Sequence, residues 1–256
     1  MSYRQRWCTA TLLALGLGMV SLRGEEAVAV AHRVHLVGDS TMTTYGARLH
    51  PRCGWGQMLA EKLGGRVDVL NRARPGRSSK SFRDQGHWEA VRAALAPGDY
   101  VVIQFGHNDA KSLDPERYTE PGTGYAEQLR AYVAETRGQG AEPILATSIC
   151  RRSFDETGQW QATHGDYPAA MRRVAAEMNV PLVDLQAKTR TLLEELGPER
   201  SLLIYLHIVP GAYASHPEGA SDDTHLSEMG AKKIAALFVE GLRELNHPLI
   251  TPPAVE

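Results

Sequence analysis

Five short apolar runs punctuate this chain, at Val34 to Val37, Val67 to Leu70, Tyr100 to Gln104, Ile144 to Ser148 and Pro181 to Val183. Runs this short and this apolar suit strands buried on both faces of a parallel sheet. Parallel neighbours need a crossover, usually a helix, and helical patterns fall between the runs. Tyr125 to Arg137 and Tyr167 to Met178 are the clearest of these. Leu226 to Leu245 reads as a long C-terminal helix with Ile234, Leu237, Phe238, Leu242 and Leu245 on one face. The alternation predicts an α/β fold with a doubly wound parallel sheet. At 256 residues, 43% hydrophobic and with no repeat or low-complexity linker, the chain suits one well-buried domain.

The strand ends carry the chemistry. The first run breaks into Gly38-Asp39-Ser40-Thr41, the second into Asn71-Arg72-Ala73-Arg74-Pro75-Gly76-Arg77-Ser78, the third into Gly106-His107-Asn108-Asp109. In an open parallel sheet, ligands bind outside the carboxyl ends of the strands, so these loops are expected around one pocket. Near the other terminus, Asp222-Asp223-Thr224-His225 runs straight into the last helical pattern. A serine hydroxyl is a poor nucleophile at neutral pH unless a histidine takes its proton and a carboxylate orients the imidazole. Ser40, His225 and Asp222 supply those three groups. Each piece also has a bland reading: Gly-Asp-Ser is a common turn, and acidic residues before a helix are ordinary capping.

Two other classes of function remain in view. A metal site could be drawn from His107, Asp109, His164, Asp166, Asp222 and His225, but their spacing matches no usual ligand pattern and leaves Ser40 without a role. A non-catalytic carbohydrate binder could use Trp55, Trp88, Trp160 or Tyr167 as stacking surfaces, although single aromatics more commonly pack, as expected for Trp88. Gly-x-Ser-x-Gly, Walker A and His-Glu-x-x-His motifs are absent.

Taken in order, Gly38-Asp39-Ser40, Gly76, Gly106-His107-Asn108-Asp109 and Asp222 with His225 resemble the four blocks of the SGNH (GDSL-like) hydrolase superfamily. Within it the chain is most similar to bacterial rhamnogalacturonan acetylesterases. Further matching segments are Gly54-Trp55-Gly56-Gln57, Arg151-Arg152-Ser153-Phe154, Thr163-His164-Gly165-Asp166-Tyr167-Pro168 and His225-Leu226-Ser227. The resemblance implies a flavodoxin-like, three-layer α/β/α sandwich with strand order 2-1-3-4-5. It also implies Ser40 as nucleophile, His225 as general base and acid, Asp222 as its orienting carboxylate, and no metal or other cofactor. The oxyanion donors would be the Ser40 and Gly76 backbone N–H groups and the Asn108 amide. The implied reaction is removal of acetyl groups from pectic polysaccharide. Acetylated xylan, other acetylated glycans and simple short-chain esters stay open as substrates.

Residues 1–29 read as a signal peptide, leaving a hydrolase domain at 30–256 that is secreted or periplasmic. Arg4 and Arg6 precede the uncharged run Cys8 to Leu22, and Ala27-Val28-Ala29 and Ala29-Val30-Ala31 are cleavage candidates. The charged approach through Arg23, Glu25 and Glu26 keeps an uncleaved anchor open; after cleavage no membrane association is expected. Cys53 and Cys150 then remain in an oxidising compartment, where they could pair, although two separate buried thiols are the favoured state. The formal net charge of −2 gives no reason to expect a nucleic-acid partner. Acetylated pectin carries uronate carboxylates, which arginine can hold through two hydrogen bonds. Arg151, Arg152 and Trp160, which lies in the polar stretch Asp155 to Gln161, are candidate substrate contacts, with Arg74, Arg77 and Lys80 also expected near the strand ends.

Overall fold

The computed structural model describes residues 32–65 and 67–250, so the expected signal segment lies outside the described residues. In chain order the elements are β1 (His32–Gly38), α1 (Leu59–Lys62), β2 (Val67–Asn71), α2 (Ser79–Asp84), α3 (His87–Arg92), β3 (Tyr100–Gln104) and α4 (Ala126–Gly138). There follow β4 (Glu142–Ala146), α5 (Tyr167–Glu177), β5 (Leu182–Val183), α6 (Leu185–Arg200), β6 (Tyr205–Ile208), β7 (Ala220–Leu226) and α7 (Glu228–Glu244). β1 to β5 form one parallel sheet in the order β2-β1-β3-β4-β5, as expected.

Successive side chains of a strand point to opposite faces, and the central strands divide their apolar residues accordingly. Val34, Leu36, Val102, Ile144 and Ala146 join Leu59, Leu192 and Phe238 in the core under α1, α6 and α7. Val37, Val101, Ile103 and Leu145 join Phe82, Trp88, Leu129, Tyr132 and Met171 in the core under α2 to α5. Two helical layers sandwich the sheet. Because β1 lies between β2 and β3, the chain leaves β1 toward one side and reaches β3 on the other. That reversal opens a crevice at the carboxyl ends of β1 and β3.

The structure differs from the sequence expectation near the C-terminus. Asp222 to His225, expected to run straight into a helix from Leu226, lie within β7, which extends to Leu226 and pairs antiparallel with β6 in a separate two-stranded sheet; the last helix begins only at Glu228. The polar sequence of β7 has no alternating apolar face to announce a strand. α6 was likewise not anticipated. Gly197, with φ 68°, and Pro198 break its regular geometry. The Pro198 carbonyl accepts hydrogen bonds from the Arg152 guanidinium and the Ser201 hydroxyl. Cys53 and Cys150 are separate buried thiols, and burial pushes them up to about 12 and about 11.

Candidate active site

The turn after β1 is organised by Asp39. Its carbonyl accepts from the Met42 and Thr43 N–H groups, while Oδ1 accepts from the Thr41 N–H and hydroxyl, each at 2.9 Å. This turn presents Ser40, only 8% exposed, and the Tyr45 hydroxyl donates to its carbonyl. The Arg74 N–H donates to the Gly38 carbonyl, fastening the loop after β2 to the same strand end. Gly76 in that loop has φ 73°, a backbone conformation that a side chain would strain. Asn108 crosses from the loop after β3 and donates through Nδ2 to the Arg77 carbonyl at 3.0 Å. A primary amide carries two N–H donors, so Asn108 retains one beyond this contact. At the start of its loop, Gly106 has φ 142°, and a Cβ there would run into the Ser148 hydroxyl.

β7 brings the remaining groups to this crevice. His225 Nε2 is 2.9 Å from Ser40 Oγ, and His225 Nδ1 is 2.7 Å from Asp222 Oδ2. Asp222 Oδ1 accepts from the Thr224 and His225 backbone N–H groups, each at 2.9 Å. Burial alone would push the Asp222 carboxyl up, but its bonds from the His225 ring and backbone hold it well below the ordinary carboxylate range. It therefore stays ionised and selects the tautomer with the proton on Nδ1, freeing Nε2 to accept from Ser40. Arg52, which the sequence analysis did not single out, places Nη2 3.2 Å from Asp222 Oδ2 and 3.1 Å from His225 Nδ1. With Nδ1 already protonated, the Arg52 hydrogen bond belongs to the carboxylate. No local motif marks an arginine whose partners lie 170 and 173 positions away.

The other expected site residues divide by what they touch. Arg151 is half-buried and donates to the His107 carbonyl at 3.2 Å and the Thr163 carbonyl at 3.3 Å. Arg152 is held by Asp223 at 3.0 Å and by the Pro198 carbonyl at 2.8 Å. His207 also meets Asp223, at 2.8 Å, so Arg152 and His207 together brace the residue beside Asp222. Trp160 donates to the Arg151 carbonyl at 3.1 Å, and Arg190 lies 5.6 Å from its ring centroid. Trp55, Trp88 and Tyr167 are buried.

The six residues considered as metal ligands occupy different environments. Asp222 and His225 engage Ser40; Asp166 is exposed; His107 and His164 meet ring to ring. Among the described residues no group of three or more His, Cys, Asp or Glu is placed to hold a metal ion. Asp109 instead joins three segments: Oδ1 accepts from the Ser79 N–H and hydroxyl and from the Thr119 hydroxyl. Burial pushes its carboxyl up to about 6 despite those donors. Asp109→Ala is expected to lower unfolding free energy by about 2–4 kcal/mol because several buried donors lose their acceptor. Asp109→Asn retains an acceptor and should lose less. Urea midpoints check both variants, and equal losses would contradict this role for Oδ1.

The buried histidines carry an expected pH dependence. Burial pushes His35, His107 and His164 below their ordinary value of 6.5. The unfolded chain then binds more protons below about pH 6.5, so stability falls as pH drops toward the folded-state values. Asp109 has the opposite sign: its raised folded value favours the folded state as pH falls through about 6. Urea midpoints should decline from pH 7.5 to pH 5.5 where the histidines dominate, and His164→Phe should flatten that decline. An unchanged slope in the variant would remove His164 from the account.

A five-stranded parallel sheet in the order β2-β1-β3-β4-β5, with helices around it, is the fold of the SGNH hydrolases. The chain belongs to the GDSL-like Lipase/Acylhydrolase family, whose model matches residues 36–233, and is a carboxylic ester hydrolase. It is 40% identical to rhamnogalacturonan acetylesterase RhgT of Bacillus subtilis over 85% of this chain and 92% of that protein. A rhamnogalacturonan acetylesterase of Emericella nidulans is 28% identical over 84% of this chain and 86% of its own length. Among solved structures, protein YxiM of Bacillus subtilis matches with a TM-score of 0.71 and 27% identity, over 85% of this chain; the present chain spans 58% of that one. Axe2, an acetylxylan esterase from Geobacillus stearothermophilus, shares the fold with a TM-score of 0.61 at 21% identity, over 88% of this chain and 99% of that one.

Proposed function

We propose that this hydrolase removes acetyl groups from rhamnogalacturonan, a pectic polysaccharide, through an acyl-enzyme on Ser40. The observation that carries the mechanism is the relay from Ser40 Oγ through His225 to Asp222. The substrate reading is supported by the 40% identical relative named for that activity. His225 Nε2 takes the Ser40 proton as Oγ bonds to the acetyl carbonyl carbon. The oxyanion is held by the Ser40 and Gly76 N–H groups and the Asn108 amide. As the carbonyl re-forms, the sugar oxygen leaves with the proton from His225. Water, deprotonated by His225, then attacks the acetyl-serine; collapse returns the proton to Ser40 and releases acetate. Asp222 orients His225 and stabilises its imidazolium without taking its proton.

An acetylated cell-wall glycan lies outside the cell, in keeping with residues 1–29 serving as a signal peptide and 30–256 as the exported domain. No helix among the described residues is long and apolar enough to cross a membrane. Arg151 is the candidate for reading a uronate carboxylate, while Arg152 and Trp160 support the site through Asp223 and the Arg151 carbonyl. Acetate release from a panel of acetylated polysaccharides tests the assignment: turnover is expected on rhamnogalacturonan. Efficient release from xylan with none from pectic substrates would reject it. Arg151→Gln should lower kcat/KM on acetylated rhamnogalacturonan by about 10-fold, the scale of one charge-assisted contact, while sparing p-nitrophenyl acetate. Equal losses on both would assign Arg151 to the scaffold.

A further inference from the structure

Two residues adjoin the groups assigned to the oxyanion site without themselves entering the reaction: Asp39 precedes Ser40, and His107 precedes Asn108. Both are buried, at 0% and 3% exposure. Asp39 Oδ1 is engaged by Thr41, whereas Oδ2 has no hydrogen-bond partner; both ring nitrogens of His107 are also without one. His107 Nδ1 nevertheless faces Asp39 Oδ2 at 3.4 Å. His164 packs against the His107 ring with centroids 4.4 Å apart, and Arg151 holds the His107 carbonyl.

This environment determines which proton His107 carries. Burial pushes both His107 and His164 down, so each ring is neutral near pH 7. Burial opposes ionisation of Asp39, but His107 and the Thr41 donors outweigh it and hold the carboxyl below its ordinary value. A neutral imidazole has one N–H, and the adjacent carboxylate selects Nδ1 for it. The 3.4 Å separation needs to close by about half an ångström to become a short charge-assisted bond.

We propose that His107 is a positioning residue that clamps the Asn108 loop to the Ser40 turn through Asp39, holding two oxyanion donors in register. This inference rests on the assignment of Ser40 and Asn108 above. The clamp joins the ends of β1 and β3 directly across the crevice. A misplacement of about 1 Å at a reacting centre costs on the order of 100-fold in rate, so a single loosened donor loop has a large kinetic effect.

The test uses p-nitrophenyl acetate with His107→Leu, His107→Asn and Asp39→Asn, following kcat, KM and thermal unfolding. His107→Leu is expected to lower kcat by about 10- to 100-fold with little change in KM. His107→Asn places an amide N–H near the lost Nδ1 and should recover most of that loss. Asp39→Asn should lower kcat in the same way, and combining it with His107→Leu should add little because one contact is removed twice. Comparable losses for His107→Leu and His107→Asn, or losses confined to KM or to thermal stability, would overturn the clamp. If His107→Leu does not fold, normal kcat in folded Asp39→Asn overturns it equally. Near-normal turnover by Ser40→Ala would instead reject the underlying serine assignment, so the two failures are distinguishable.

Discussion

Ser40→Ala is expected to lower kcat on p-nitrophenyl acetate by at least about 10³-fold, equivalent to about 4 kcal/mol of barrier. The Oγ removed is the atom 2.9 Å from His225 Nε2, and among the described residues no other hydroxyl shares that contact. His225→Ala should fall to a similar level, since a serine without its base and a base without its serine fail at the same step. The double variant should be little worse than either single one, because members of one proton-transfer unit do not contribute additively. Circular dichroism and thermal unfolding establish that each variant is folded. Near-normal turnover by folded Ser40→Ala would reject the acyl-enzyme mechanism.

Asn108→Ala is expected to cost about 10²- to 10³-fold in kcat, with KM nearly unchanged. Its amide is already anchored to the Arg77 carbonyl at 3.0 Å, so the remaining donor is held in place before substrate arrives. A preorganised donor matters most when negative charge develops on the acetyl oxygen, which confines the loss mainly to kcat. Steady-state kinetics on the same ester provide the check. A raised KM with preserved kcat would make Asn108 a ground-state contact.

These expectations draw on features of unequal visibility in the chain. The central strands were legible because burial on both faces demands short uninterrupted apolar runs such as Tyr100 to Ile103. α7 was legible because one side of it is apolar and packs on the sheet, with Ile234, Phe238 and Leu242 buried. β7 was not, since its sequence is polar. Its placement depends on pairing with β6 and on Arg152 and His207 meeting Asp223. Arg152 also illustrates how a candidate ligand contact acquires an internal partner once distant segments meet.

By itself, the sequence determined the alternating α/β plan and the kinds of chemical group at the strand ends, because periodicity and local backbone constraints act over a few residues. Ser40, Asn108, Asp222 and His225 were visible through the resemblance of their motifs to the four SGNH blocks. Tertiary structure alone decided that His225 lies 2.9 Å from a serine 185 positions away. It also brought Arg52 to Asp222 and buried His107 beside Asp39. Hydrogen-bond geometry and desolvation depend on distances between folded segments, and those distances have no local signature in the chain.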